Sequence, residues 1–315
     1  MRFGVALQGD KTSAEYVAQA MLIDRYAFDV VSVYNDLFFQ PAIGPLLVMA
    51  PHIRRAMLGP AALNPYTLHP VEIAGQIAFL DQVTQGRAYL GLARGAWLDA
   101  IGVPQPRPVG ALREAVLTIK RLLSGEGELK YRTFRASVPI TIGTWSPRTA
   151  RLAGEIADEV KIGGSANSSM ASHLRPFIVE GEVAAGRRER SVGICLGAVT
   201  VVDADRAAAR QRARAEVALY APVVAGLDPS LRDEEWLARI AEPARRGDYA
   251  RVAALIPDAA LDRLAFAGTP HDITRQVEDR ARAGVSRVEF GTPHGLVSRE
   301  GIRALGEQVL PSFRT

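Results

Sequence analysis

The chain has 315 residues, of which 48% are hydrophobic and 23% are charged, and its formal net charge is +4. This balance is typical of a globular protein and excludes a disordered chain. Basic residues are dispersed among nearly as many acids, so we expect no nucleic-acid partner. The sequence shows neither a secretory leader nor an apolar run long enough to span a bilayer, which predicts a cytoplasmic protein without a membrane partner.

Apolar segments along the chain predict strands that alternate with helices. The predicted strands are 3–8, 30–33, 54–62, 87–92, 139–143, 159–162, 192–201 and 287–290. The predicted helices are 13–26, 71–84, 113–123, 147–155, about 169–185, 203–218, 273–283 and a closing helix to about 310. Eight strand–helix units predict a (β/α)8 TIM barrel. The segment from about 226 to 266 exceeds this alternation, and we interpret it as a helical insertion before the last helix–strand unit of a single domain, 1–315.

Polar and glycine-rich segments follow the predicted strands, at the ends where barrel enzymes build their sites. The candidate site residues in chain order are Asn35 and Asp36 after the second strand, Ala61, Ala62 and Asn64 after the third, Arg94 after the fourth, Gly143, Thr144, Ser146 and Thr149 after the fifth, Gly163, Gly164 and Ser165 after the sixth, and His294 after the eighth.

The segment after the fifth strand has the features of an anion site. Ser146 suits the N-cap of the following helix, Pro147 suits its first turn, and Thr149 adds a second hydroxyl. A helix N-terminus of this kind attracts phosphate, and the backbone amides of residues 163–165 predict a second contact with the same anion. In the alternative interpretation, Ser146 only caps the helix and the glycines only turn the chain.

Two further residues carry a charge or a nucleophile. Arg94 directly follows a strand that we expect to be buried, where an unpaired charge is costly. It therefore predicts either an anionic ligand or a salt bridge at the barrel rim. Cys195, the only cysteine, lies in the apolar run GICLGAVTVV and is interpreted as a buried strand residue rather than a nucleophile. No strand ends in clustered histidines and carboxylates, so no metal site is predicted.

Several spaced motifs follow one another along the chain: MRFGVALQ, LNPYTLHP, LDQVTQGRAYLGLARG, VPITIGTWSPRTARLAGEIADEV and FAGTPHDITRQVEDRARAGVSRVEF. In wording and order they resemble the bacterial luciferase-like superfamily. Within the superfamily, NPY and the GTP before the last helix–strand unit resemble the methylenetetrahydromethanopterin reductase branch. This resemblance implies coenzyme F420, hydride transfer with a small organic substrate, a homodimer, and a cis peptide between Ala61 and Ala62.

The resemblance leaves two alternatives open. Arg94, Ser146 and Thr149 match positions that bind the flavin phosphate in the luciferase branch, which favours an FMN-dependent monooxygenase or reductase. Many deazaflavin-dependent relatives also carry an Asp-His pair after the second strand, where this chain has Asn35 and Asp36. Without that pair, a non-catalytic flavin-binding protein on the same barrel is the alternative of another class.

The missing histidine leaves the proton donor to be assigned. Asp36 can act as an acid if burial raises its pKa. His294, after the eighth strand, is the second candidate and would replace the absent histidine from another strand end. Its alternative interpretation is a solvent-exposed loop residue.

Overall fold

The structure, a computed structural model, describes residues 1–125, 129, 131–135 and 137–314. The strands are β1 Arg2–Leu7, β2 Val30–Val33, β3 Met57–Pro60, β4 Leu90–Ala93, β5 Ile140–Gly143, β6 Glu159–Gly163, β7 Gly193–Val202, β8 Ala265–Gly268 and β9 Arg287–His294. The α-helices are α1 Ser13–Arg25, α2 Ile43–Met49, α3 Pro70–Val83, α4 Pro108–Leu123, α5 Pro147–Ile156, α6 Ser168–Ala184, α7 Arg206–Val217, α8 Ala221–Leu227, α9 Glu234–Arg245, α10 Tyr249–Ala254, α11 Asp258–Leu264, α12 Pro270–Arg282 and α13 Ser298–Ala304.

The chain forms two compact units. The amino-terminal unit comprises Gly4–Lys161 and Arg175–Gly193. The carboxy-terminal unit comprises Met1–Phe3, Ile162–Leu174 and Ile194–Thr315. Strand–helix alternation with parallel pairing confirms the predicted (β/α)8-barrel class. The assignment of residues 1–315 to a single domain stays a prediction.

In the amino-terminal unit, strands pair in parallel in two runs. β1 pairs with β2 and β2 with β3, while β4 pairs with β5 and β5 with β6. Continuous apolar runs such as β2, in which every residue is buried, are typical of parallel strands covered on both faces. β3 and β4 approach closely beside Gly91, where an added Cβ would lie 2.1 Å from the Pro60 carbonyl oxygen. Glycine at this position therefore keeps the exits of β3 and β4 side by side.

In the carboxy-terminal unit, the long strand β7 pairs in parallel with both β8 and β9. The core of this unit includes Phe290, whose ring centroid lies 6.3 Å from that of Phe3 and 5.7 Å from that of Phe266. Cys195 on β7 is fully buried, which confirms its interpretation as a strand residue.

The predicted insertion is helical over most of its length but does not end as expected. Helices α8 to α11 occupy it, and its last residues enter β8, a strand that the sequence did not predict. The four residues AFAG have little intrinsic preference for a strand, and pairing with β7 determines their conformation. The helix α2 was also not predicted. The predicted eighth strand corresponds to β9 and continues to His294 through a cis peptide between Thr292 and Pro293.

We predict that Arg287→Met destabilises the fold by about 3–5 kcal/mol. Nη1 of Arg287 donates to Oε2 of Glu289 at 2.6 Å, with the side chains 1% and 0% exposed, so the substitution leaves a buried carboxylate without this cation. Urea unfolding measures the loss. The control is Arg303→Met on the surface, where the pair with Glu300 at 3.2 Å is worth at most about 1 kcal/mol. Equal losses in the two variants would contradict the prediction.

Candidate active site

A part-buried carboxyl group lies at the exit of β2. Oδ2 of Asp36 accepts a hydrogen bond from Nε2 of Gln8, on the loop after β1, at 3.0 Å. Burial raises the pKa of Asp36, while the Gln8 hydrogen bond and the positive charge of Lys161 act in the opposite direction. The net result is a carboxyl that keeps its proton to a higher pH than an ordinary aspartate, which is a property that a general acid requires.

Lys161 is a member of this site that the sequence analysis missed. It lies on β6, is buried, and places Nζ 5.2 Å from the centroid of the Tyr34 ring. Tyr34 directly follows β2, so the cation, the ring and the Asp36 carboxyl are grouped at the exits of two strands of the amino-terminal unit. The signal in the sequence was a lysine inside the apolar strand 159–162, in a chain whose cations are nearly all arginine.

Asn35 and Asn64 shape the loops that follow β2 and β3. Oδ1 of Asn35 accepts from the Ala42 N–H at 2.9 Å. Oδ1 of the buried Asn64 accepts from the N–H groups of Tyr66 at 3.0 Å and Thr67 at 2.9 Å. Such bonds are how asparagine fixes a turn. Both side-chain oxygens accept bonds inside their loops, and both residues stay predicted cofactor contacts.

The Ala61–Ala62 peptide is cis, as the family resemblance predicts. Backbone bonds hold the chain on both sides of it. The Ala61 N–H donates to the Val33 carbonyl at 2.8 Å, and the Leu63 N–H donates to the Gly91 carbonyl at 3.0 Å. The segment after β3 is therefore tied to both neighbouring strands.

Arg94 directly follows the buried strand β4, as predicted, but is itself exposed, so the cost of an unpaired buried charge does not apply to it. β4 ends one residue before it, and the side chain extends into solvent. In the described part of the chain, no carboxylate forms an ion pair with Arg94, so the predicted alternative of a rim salt bridge is not found there. Burial raises the pKa of Tyr66, and the positive charge of Arg94 acts against that rise, which places the guanidinium near the loop after β3. Arg94 is thus a cation available to an anionic ligand.

The start of α5 differs from the simple capping interpretation. Ser146 is the N-cap residue, but its side chain makes no capping bond. Its own N–H instead donates to Oγ1 of Thr144 at 2.9 Å, and the Thr144 N–H donates to the Lys161 carbonyl at 3.0 Å. Thr149 is buried in the first turn of α5. Gly143 lies close to the neighbouring strand, since an added Cβ there would lie 3.3 Å from the Cβ atom of Ala93. The exposed Ser146 hydroxyl is the group of this loop that is not needed to shape it.

The glycine loop after β6 belongs to the carboxy-terminal unit. Ser165 is fully buried; its N–H donates to the Gly197 carbonyl at 3.1 Å, and its Oγ accepts from the Asn167 N–H at 3.1 Å. These bonds argue against direct anion binding by Ser165. Gly164 has a φ of +69°, a left-handed conformation that glycine favours, and an added Cβ at Gly163 would meet no atom within 4 Å. Gly163 and Gly164 stay predicted cofactor contacts.

His294 is fully buried at the end of β9, not exposed on a loop. Its Nδ1 lies 3.3 Å from Oγ of Ser298, and its backbone is left-handed with a φ of 74°. A ring without exposed surface is poorly placed to exchange a proton with a small molecule. Asp36, which is only part-buried, is the better candidate for the proton donor.

The chain belongs to the luciferase-like monooxygenase family, whose sequence profile matches residues 1–287. It is 29% identical to the 5,10-methylenetetrahydromethanopterin reductase of Archaeoglobus fulgidus, with 100% of both chains covered. It is 28% identical to the F420-dependent glucose-6-phosphate dehydrogenase of Nakamurella multipartita, covering 100% of this chain and 97% of that one. The solved coenzyme F420-dependent tetrahydromethanopterin reductase of Methanopyrus kandleri superposes with a TM-score of 0.89 and 25% identity over 99% of each chain. The predicted resemblance is confirmed.

Two negative findings apply to the described residues. None of their helices combines the length and apolar character needed to cross a membrane. Nor do three or more of their histidine, cysteine, aspartate and glutamate side chains come together in a group that could hold a metal ion.

We predict that Gln8→Leu raises the pKa of Asp36 further, because it removes a hydrogen bond to the charged form of the carboxyl. Titration of the Asp36 carboxyl by carbon-13 NMR, with the resonance assigned through Asp36→Asn, measures the shift. The control is Gln40→Leu, at an exposed residue on the loop after β2 that also carries Asp36. This substitution should leave the titration midpoint of Asp36 unchanged. A midpoint that falls in Gln8→Leu would show that Gln8 does not stabilise the carboxylate.

Proposed function

We propose that the protein is an F420-dependent oxidoreductase that transfers a hydride between the deazaflavin and a small organic substrate. The observation that carries this proposal is the Asp36 carboxyl, held by Gln8 at a strand exit and shifted toward its protonated form. Support comes from family membership and from relatives whose names specify F420. Neither relative's substrate is assigned to this chain.

The residues at the strand exits suit this cofactor. F420 joins a flat deazaflavin ring to an anionic tail, and an anion is favoured by a guanidinium and by hydroxyl and amide donors at a helix start. Arg94 and Ser146 would hold the anionic part. When bound, the cofactor supplies the hydride chemistry. The chain's own residues would bind and orient the cofactor and the substrate and would donate a proton.

Asp36 would donate that proton. Hydride addition to an organic substrate leaves negative charge that a nearby acid neutralises, and protonated Asp36 would donate from its carboxyl oxygen. Gln8 holds the carboxyl, and the positive charge of Lys161 stabilises the carboxylate that remains. Because the acid form is the donor, substrate reduction should slow as the pH rises through the raised pKa of Asp36. In the opposite direction the carboxylate would act as the base.

The same donors also suit the phosphate of FMN, so an FMN-dependent monooxygenase or reductase is the second candidate. A flavin-binding protein without turnover is the third. We further propose a cytoplasmic, single-domain protein that forms a homodimer and has no nucleic-acid or membrane partner. Phe79 on α3 and Leu117 on α4, 57% and 50% exposed, supply an apolar surface that a second copy would cover.

We predict that F420 raises the melting temperature of the purified protein more than FMN or FAD, because a ligand stabilises the state that binds it. Arg94→Ala should weaken F420 binding about tenfold or more, as expected for a lost charged hydrogen bond. Arg55→Ala is the control, since Arg55 is exposed at the opposite end of β3. Stabilisation by FMN in place of F420 would favour the second candidate.

We predict that Asp36→Asn lowers kcat on the order of a hundredfold while the F420 dissociation constant stays nearly unchanged. His294→Gln should lower kcat less, because its ring is buried. The absorbance of F420 measures the rates in both directions, with oxidation of reduced F420 by methylenetetrahydromethanopterin and reduction of oxidised F420 by glucose 6-phosphate among the reactions tested. Full turnover in both variants would remove both residues from the proton step. A protein that binds F420 but turns over nothing would favour the non-catalytic alternative.

A further inference from the structure

Two aromatic rings lie side by side at strand exits of the amino-terminal unit, and neither has a role in the site described above. Phe38, on the loop after β2, is 66% exposed, and Trp97 lies half-buried on the loop after β4. Their ring centroids are 6.1 Å apart and their planes are inclined by 47°. Large apolar groups left in water as a cluster are typical of binding surfaces.

The loop that carries Phe38 has a fixed backbone. The Phe39 N–H donates to the Asp36 carbonyl at 3.1 Å, and the Gln40 N–H donates to the Gly9 carbonyl at 2.9 Å. An added Cβ at Gly9 would lie 2.3 Å from the Gln40 carbonyl oxygen, so glycine is needed for this close approach. Phe38 is therefore held at the surface by the fold rather than left there by a loose loop.

The loop that carries Trp97 accepts a strained conformation. Trp97 has a φ of 56°, in the left-handed region that residues other than glycine rarely adopt. The neighbouring Leu98 is buried and anchors the turn. Strain of this kind persists where the surroundings enforce it and is concentrated at binding and active sites.

The two rings lie on the same exit loops as two chemical groups of the proposed site. Phe38 comes two residues after Asp36, and Trp97 comes three residues after Arg94. We propose that Phe38 and Trp97 bind a planar, conjugated ring of the substrate beside the Asp36 carboxyl. This inference rests on the proposed function and narrows its substrate class. Aromatic faces attract flat rings through stacked and edge-to-face contacts, which a phosphosugar cannot match in the same way.

Isothermal titration of the protein without cofactor tests the proposal with two acids of equal charge and similar size. They are naphthalene-2-carboxylate, which is flat, and decahydronaphthalene-2-carboxylate, which is not. The protein should bind the flat acid more tightly. Phe38→Leu and Trp97→Leu should each weaken that binding about three- to tenfold, because each keeps an apolar side chain but loses the ring.

Three controls accompany the titration. Trp97→Phe keeps a ring and should keep the preference for the flat acid. Phe134→Leu, at a side chain that is 65% exposed elsewhere, should change nothing. Melting temperatures show that each variant is folded. Equal affinity of the protein for the two acids, or an equal loss in Phe134→Leu, would overturn the proposal.

Titration of F420 into the same variants separates the substrate ring from the ring of the cofactor. Unchanged F420 affinity in Phe38→Leu and Trp97→Leu supports the proposal. A parallel loss of F420 affinity assigns the aromatic pair to the cofactor and overturns it. If F420 fails to bind the unmodified protein, the proposed cofactor is wrong, and the titration with the two acids still decides whether the rings select a planar ligand.

Discussion

Parallel backbone pairing is the interaction on which the site depends, because it continues past the strands into the loops that follow them. The Ala61 N–H reaches the carbonyl of Val33, the last residue of β2, and the Thr144 N–H reaches that of Lys161. The first residues of these two exit loops are thereby placed by main-chain bonds, whatever their side chains are. Loop sequence can then vary without moving the edge of the sheet.

Within these loops, the polar side chains divide into two groups. Asn35, Asn64 and Thr144 accept bonds from nearby backbone N–H groups and hold the local chain. Arg94 and the Ser146 hydroxyl take no such part. A polar group that a loop does not need for its own shape is free to meet a ligand. The division explains why residue type alone could not separate the two groups.

The sequence predicted the barrel class and the order of strand exits well, because long apolar runs such as β7 and clear helix starts such as Pro147 are local signals. It failed where distant contacts decide. The strand β8 exists through pairing with β7, and neither the exposure of Arg94 nor the burial of His294 can be inferred from neighbours in sequence. Lys161 was overlooked because its partners, Tyr34 and Asp36, lie on a different strand exit. Asn35 and Asp36 were found because they directly follow a predicted strand, and the family resemblance added that relatives carry an Asp-His pair there.

The burial of Cys195 has a practical consequence for work on this fold. A thiol with no exposed surface inside a packed strand reacts slowly with alkylating reagents, and it is the only one in the chain. The natural protein therefore should take up little thiol-reactive label at its own cysteine. A single cysteine introduced at a strand exit would be the only accessible thiol, so spin labels or fluorophores can report on loop position without first removing a native residue.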